Sequence, residues 1–361
     1  METADRAGPT FTHQSYHDAI SDCYIYLLEN MMPCDVINSA SLGFHADFEK
    51  QDDETQQQSP MTTTTKQRRT LLLSQQQPHL PDGLSNGIVN NTIHLALETK
   101  LLYPWTEFIP KHIFMEYVLP YAVINEPRTN WRPYLTEAIQ PIVQKLISMK
   151  DTSDNSHMDM DYDHQNPIDI TIEQVVREIN KSVWSLLGKP TIIYNHTDGT
   201  ASIQNDPILF KASQTPLIYD PMSILQYGYA SCTGLSILLI AALRCAGIPA
   251  RLVGTPAWNN MVEKGNHNWI EVYSTVKNEW IFMEPAYGDY GTDQADHMDK
   301  NPCTRWFCNA NMFHDTKVYA SRYTRKDDKE SYHYPMAWDI DNPSVVGFDR
   351  TQYYLDICSK C

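Results

Sequence analysis

Hydrophobic positions along this chain fall into separated blocks, each with its own period. Over residues 16–32 the apolar side chains Ala19, Ile20, Cys23, Tyr24, Leu27 and Leu28 recur at helical spacing and stop at Pro33, predicting an amphipathic helix. A weaker apolar stretch runs to about Phe48. QDDETQQQSPMTTTTKQRRT then has no period and is rich in Gln and Thr, so 51–87 reads as a disordered linker. Structure is expected again near Ile88, with a helix over 92–102. The segment 103–134 is dense in aromatics and broken by Pro104, Pro110, Pro120, Pro127 and Pro133, a pattern of short helices and turns. Its aromatics, from Tyr103 to Trp131, read as packing rather than as a substrate groove. Glu126, Arg128 and Arg132 fit a structural ion pair as well as ligand contacts. A helix is predicted over 136–149. The acidic stretch 150–166 contains His157 and His164 without ordered ligand spacing and reads as a solvated insertion. A further helix over 170–187 carries Val175, Val176, Ile179, Val183, Trp184 and Leu187 on one stripe. Residues 190–226 mix short apolar runs with turns, TDGT at 197–200 among them.

Residues 227–285 hold the chemistry. Downstream of Cys232, Leu235, Leu238, Leu239, Ala242 and Leu243 keep a helical period, and Gly247 followed by Pro249 is a helix stop. Gly228 and Ser231 interrupt the pattern upstream, and Ser231 can cap, so Cys232 is expected in the first turn. Free N–H groups and the positive end of the helix dipole lie there, and both favour the nucleophilic thiolate. The N–H groups around Cys232 and Thr233 could also face a developing oxyanion. Residues 250–254, 269–273 and 280–283 read as strands, the last two joined by a Lys277-Asn278 turn. His267 opens one strand of that hairpin and Glu284 closes the other, so antiparallel pairing can bring them together. A carboxylate on one ring nitrogen would fix the tautomer of His267 while the other nitrogen faces the thiol.

A helix that begins with Cys and ends in A-G-I-P-A-R, then a strand with H-x-W-x-E-V and another with W-x-x-x-acid-P, resembles the transglutaminase-like superfamily. The fuller wording, A-S-C-T-G-L-S-I and G-T-P-A-W-N-N followed by G-N-H-N-W-I-E-V-Y, is most similar to microbial transglutaminase-domain proteins. The resemblance implies a papain-like core with Cys232 as nucleophile, His267 as base and Glu284 as orienting acid. It covers about sixty residues tightly, from 227 to 285, and more loosely most of the chain after Asn90. The superfamily's usual acid is Asp, whereas Glu284 is one methylene longer. Glu271, on the His267 strand, is the rival carboxylate. Gln226, six residues before Cys232, has the spacing of a papain-type oxyanion glutamine. Trp258, Asn266 and Trp269, inside the same motif, are the expected cleft residues. The resemblance does not extend to animal-type calcium-dependent transglutaminases, whose flanking β-sandwich domains would not fit. Nor does it extend to peptide-N-glycanases, whose paired C-x-x-C module upstream of the cysteine is absent here.

The expected fold class is therefore α+β: a Cys-bearing helix packed on an antiparallel sheet, with a helical N-terminal part. The boundaries read as 1–50 helical, 88–149 a helical, aromatic and Pro-rich subdomain, 167–300 the core, and 301–361 a C-terminal extension bordering the core. Within that extension, 319–323, 332–338 and 345–354 look strand-like. The expected function is thiol-dependent acyl transfer or hydrolysis on a peptide or protein amide, with no cofactor. The alternative, from another class, is a catalytically degenerate module that binds peptide or glycan.

Composition narrows the partners. The 361 residues are 42% hydrophobic and 20% charged, enough for a substantial core, and the net charge of −16 argues against nucleic acid and anionic membrane. No apolar run reaches membrane-spanning length, and METADRAGPT lacks the features of a signal peptide, which points to a cytoplasmic, reducing setting. Eight cysteines in a chain of this length do not read as a disulfide scaffold. Cys303 with Cys308 and Cys358 with Cys361 carry a partial zinc-ligand spacing. The first pair is loosely spaced, the second sits at an end expected to fray, and the two are far apart, so no metal site is expected. The N-x-[ST] triplets at Asn90, Asn180 and Asn195 are read as chance.

Overall fold

The computed structural model describes residues 13–44, 87–153, 170–194, 197, 199–213, 215–287, 302–325 and 332–361. Residues 51–86 of the expected linker (51–87) and the acidic insertion from 154 onward lie outside the described residues. Residues 150–153, assigned to that insertion from composition, instead finish a helix.

Helix α1 (His13–Glu29), two short turns of helix α2 (Pro33–Val36) and α3 (Ser39–Leu42), and α4 (Ile88–Leu102) form the N-terminal helical part. The Pro-rich segment folds as predicted into a short turn at Pro104–Thr106, helix α5 (Lys111–Tyr117) and irregular backbone. Its aromatics are packing: Trp105, Phe114, Tyr117, Tyr121 and Trp131 are buried, and Phe108 is exposed. Helix α6 (Trp131–Ser153) keeps Pro141 in its interior, and α7 (Ile172–Leu186) starts at a capping box between Thr171 and Gln174. Arg128 pairs with Asp35 at 2.8 Å, while buried Arg132 donates to the carbonyls of Val118, Leu119 and Pro120. Both are structural, which resolves the choice left open by the sequence.

Residues 189–230 form a hairpin of β1 (Lys189–Tyr194) and β2 (Ala201–Asp206), the short strands β3 (Leu209–Phe210) and β4 (Tyr229–Ala230), and helix α8 (Pro221–Tyr227). Helix α9 (Cys232–Cys245) follows. The sequence shows an apolar stripe on α9, but its residues from Thr233 to Cys245 are buried on every side, so it is the central helix of the molecule. Gly247, at φ +72°, ends it in the left-handed conformation that only glycine adopts without strain, and Ile248 N–H reaches back to the Leu243 carbonyl.

The principal sheet uses β5 (Ala250–Thr255), β6 (His267–Ser274), β7 (Glu279–Met283), β8 (Tyr319–Arg322), β9 (Tyr332–His333) and β10 (Val346–Asp349). Its order is β7-β6-β5-β8-β10-β9, with every pair antiparallel. Half the strands thus come from residues beyond 318, and the C-terminal stretch completes the sheet. Residues 351–354, expected to be strand-like, belong instead to a final helix, α11 (Thr351–Cys358). A short helix α10 (Ala310–Phe313) precedes β8.

The sheet separates two apolar cores. On one face Ile270 and Val272 join α9, α7, α6, α4 and α1 in one continuous cluster, so the N-terminal helices share the core of the Cys helix. On the other face Val253, Trp269, Phe282 and Ala320 pack with Trp258, Phe307, Phe313 and Tyr354. The alternation of side chains along β6 makes this possible: Ile270 and Val272 face the helices, and Trp269, between them and His267, faces the second core. Among the described residues, no helix is long and apolar enough to cross a membrane.

Candidate active site

Cys232 is the first residue of α9 and is partly exposed, whereas the residues that follow it are buried. Ser231 holds the N-cap position but does not cap, because its hydroxyl bonds to that of Thr215. The first-turn N–H groups therefore remain directed at other acceptors. The N–H of Thr233 in that turn and the N–H of Asn268 on β6 reach the Cys232 sulfur, and His267 also hydrogen-bonds to it. Burial by itself would push the thiol up. The His267 hydrogen bond and charge, together with the two backbone N–H groups, outweigh that and hold Cys232 below its ordinary value.

His267 opens β6 and Glu284 immediately follows β7. The pairing of Ile270 with Met283 carries Glu284 to the level of Trp269, two residues from His267 on the same face. His267 Nε2 lies 2.6 Å from Glu284 Oε1, which leaves Nδ1 as the ring nitrogen not engaged by the carboxylate. Burial would lower the imidazole, but its bonds to Cys232 and Glu284 raise it to about 10. A thiol held low beside an imidazole held high favours the charged form of each group. The longer Glu side chain reaches His267 without difficulty.

Each of these residues is held by neighbours. Asn180 of α7 donates to the Glu284 carbonyl at 3.0 Å and accepts from Ala286 N–H at 2.9 Å, fixing the backbone that presents the acid. Arg305 Nε lies 3.4 Å from Glu284 Oε2, on the side away from the histidine. Phe307 and Trp306 flank the imidazole, with ring centroids 5.1 Å and 5.4 Å away. Asn268 accepts from the Thr233 hydroxyl at 2.7 Å and donates to Tyr334 Oη at 2.9 Å, joining α9, β6 and the stretch after β9. Gly254 opposite leaves room for this, since a Cβ there would stand 2.0 Å from the Asn268 amide nitrogen.

A pocket of about 240 Å³ opens over Cys232, lined in part by Thr215, Ser231, Thr233, Asn266 and Trp338. Of the expected oxyanion and cleft residues, it includes Thr233 and Asn266. Gln226 is exposed on α8 and is not among the lining residues, because the intervening Gly228 and β4 redirect the chain before Cys232. Trp258 and Trp269 are also displaced from the cleft: both are buried in the second core, Trp269 stacked on Phe307 behind the histidine. Trp338, from the C-terminal part, supplies the aromatic wall instead.

The rival acid is accounted for elsewhere. Glu271 is fully buried and accepts from Arg251 at 2.8 Å, Arg350 at 2.7 Å and Tyr354 Oη at 2.9 Å. Burial would raise its carboxyl, and the two guanidinium groups instead hold it below the usual carboxylate range. It clamps α11 to the strand that carries His267.

The sequence model of the transglutaminase-like superfamily matches residues 173–285, a span that begins in α7 and ends just past Glu284. Residues 173–285 are a transglutaminase-like domain. No curated protein and no solved structure matches the chain. The transglutaminase-like domain contains Cys232, His267 and Glu284, while Arg305, Phe307, Tyr334 and Trp338 lie outside it.

Sequence reasoning missed Asn180, Asn268, Arg305 and Tyr334. Two left a signal: Asn180 is polar within the apolar stripe of α7, and Asn268 is polar on the face that Ile270 and Val272 make apolar. Asn180 is fully buried, so its N-x-[ST] triplet is no glycan acceptor, and neither is that of buried Asn90; Asn195 lies outside the described residues. The sulfur chemistry also differs from expectation. Cys303 joins Cys361 and Cys308 joins Cys358, where no disulfide had been expected. The C-terminus does not fray, because α11 packs into the second core and brings the two sequence-distant pairs together.

Proposed function

We propose that this protein is a thiol-dependent enzyme of acyl transfer or hydrolysis acting on an amide of a peptide or protein. The observation that carries this reading is the continuous chain of hydrogen bonds from Cys232 through His267 to Glu284. The Cys232 thiolate attacks the amide carbonyl and forms a C–S bond, and the carbonyl oxygen takes up negative charge. Backbone N–H groups at the start of α9, with the positive end of its dipole, would stabilise that charge. The intermediate collapses as the C–N bond breaks, and His267 delivers its proton to the departing nitrogen. Water or an amine then attacks the thioester, with His267 accepting its proton, and the Cys232 thiolate leaves. Glu284 holds the ring orientation and stabilises the imidazolium throughout.

The reading is tested by exposing the full chain to a panel of electrophilic peptide and amide probes and mapping the modified residue by mass spectrometry. Cys232 is the expected target, alone among the free cysteines; a panel that leaves Cys232 unmodified overturns the proposal. A companion variant, Glu284→Gln, keeps the shape and removes the charge. The equivalent change in a serine-protease triad costs about 10⁴ in rate. A thiolate already formed in the ground state needs less help, so turnover should fall on the order of 10²-fold with little change in melting temperature. Wild-type turnover by Glu284→Gln would remove Glu284 from the machinery.

A further inference from the structure

Four of the cysteines meet far from Cys232 in sequence. Cys303 and Cys308 bracket the loop that contains Arg305, Trp306 and Phe307, while Cys358 ends α11 and Cys361 follows it, giving C-x4-C and C-x2-C pairs. The structure joins them crosswise, Cys303 to Cys361 and Cys308 to Cys358. The two crosslinks do not occupy separate places. Cys308 Sγ lies 3.6 Å from Cys361 Sγ, and the sulfurs of Cys303, Cys308 and Cys361 all fall within 4.8 Å of one another.

Two arguments favour a single metal-binding cluster over two independent crosslinks. The first concerns entropy. The bonds span 58 and 50 residues but tie the same two short segments together, so once one is made the other closes only a few further residues and adds little. The second is geometric. Zinc holds thiolates at about 2.3 Å, which sets the edges of a tetrahedral sulfur site at about 3.8 Å, close to the observed Cys308–Cys361 separation. The free thiols Cys23, Cys34, Cys232 and Cys245 in the same chain suit a reducing setting, in which structural disulfides are uncommon.

We propose that Cys303, Cys308, Cys358 and Cys361 bind one Zn²⁺ as a tetrathiolate in the reduced protein, and that this ion fixes the loop carrying Arg305 and Phe307 against Glu284 and His267. Opening each disulfide takes two electrons and two protons from a thiol reductant of the glutathione class, which is itself oxidised to its disulfide. Four thiols result, and the zinc ion displaces their protons on binding. The loop between the first two ligands places Arg305 on the outer oxygen of Glu284 and Phe307 between His267 and Trp269. Loss of the ion would free that loop at both ends and loosen the support of Glu284 and His267 together.

The test uses the full chain prepared under a glutathione-buffered, reducing poise. Metal content is measured by atomic emission, and Co²⁺ is added to the metal-stripped chain to read thiolate-to-metal charge transfer. The expected result is one zinc per chain, a tetrahedral thiolate spectrum with Co²⁺, and the four cysteines shielded from alkylation until a chelator is added. The Cys232→Ala chain should bind equally well, which separates this site from Cys232 and keeps the outcome independent of the proposed catalysis. Cys361 is exposed, so Cys361→Ser should fold normally yet weaken zinc by at least about 100-fold, the upper end of what loss of a ligand's supporting contact costs. Chelation should also move the pH profile of Cys232 alkylation upward. The proposal is overturned if both disulfide-linked peptides persist under the reducing poise. It is equally overturned if the reduced chain takes up no stoichiometric metal, if Cys361→Ser binds as tightly as wild type, or if chelation leaves the Cys232 profile unmoved.

Discussion

His267→Ala slows the alkylation of Cys232 at neutral pH by at least about 10²-fold, the lower end of what a positioned acid–base partner contributes. The sign follows from the environment of the thiol. Burial is the largest influence on Cys232 and pushes it up; only the imidazole and the backbone N–H groups bring it below its ordinary value. Without the imidazole, burial wins and the thiolate fraction at pH 7 collapses. In the wild type, labelling should rise through a depressed thiol value and hold until the imidazolium is lost near pH 10. Stability has a linked signature. His267 is raised from 6.5 to about 10, so its contribution is fully present below about pH 6.5 and disappears as pH rises through about 10. Iodoacetamide rates across pH, with peptide mapping and thermal melts on both chains, measure this. A His267→Ala chain that labels at the wild-type rate at pH 7 would show that the two residues do not act as a pair.

Glu271→Gln produces the largest loss of stability expected from a single change near the site, about 3–5 kcal/mol. It removes the carboxylate that pairs with Arg251 and Arg350, and it leaves the buried Arg251 and the partly buried Arg350 without that partner. Arg251 also lies over the Trp280 and Phe348 rings at 3.9 Å and 4.4 Å, so it cannot swing to solvent without dismantling that packing. The carboxyl is held low, so its stabilisation is present above the ordinary carboxylate value of 4.5 and is lost as pH falls through the depressed folded value. Urea titration of Glu271→Gln at pH 7 and pH 4 reads both effects, and a loss below about 1 kcal/mol at pH 7 would contradict the assignment. The contrast with Glu284→Gln is diagnostic: the first change is expected to lower stability, and under the proposed function the second is expected to lower turnover.

That contrast marks the boundary between what could be read from the chain and what could not. Cys232, His267 and Glu284 were legible because each sits where local periodicity changes: the start of a helical run, the start of a strand and the end of its partner. Pairing of neighbouring strands is a short-range consequence of the turn at Lys277-Asn278, so the meeting of His267 and Glu284 followed from sequence. Glu271 has the right spacing to serve the same histidine. Only the arrival of Arg251 and Arg350 on either side of it decides its role.

The amino-acid order by itself determined the element types, the helix start that presents Cys232, the hairpin that joins His267 and Glu284, and the polar stretches that interrupt the apolar periods. These depend on interactions within a few residues or between adjacent strands, and such interactions leave a period or a cap in the sequence. The tertiary structure alone decided that α9 is enclosed on all sides, that Gln226 points away while Trp338 walls the pocket, and that Asn180 and Arg305 support Glu284. It also decided that four distant cysteines converge. The Trp338 wall, the Arg305 contact and the cysteine cluster depend on where β8, β9 and β10 add to the sheet, long-range pairings that insert residues beyond 300 beside a site encoded before 285, while the enclosure of α9 and the Asn180 contact depend on how distant helices pack. No local period reports such a pairing, because its free energy comes from burying surfaces whose partners lie scores of residues away.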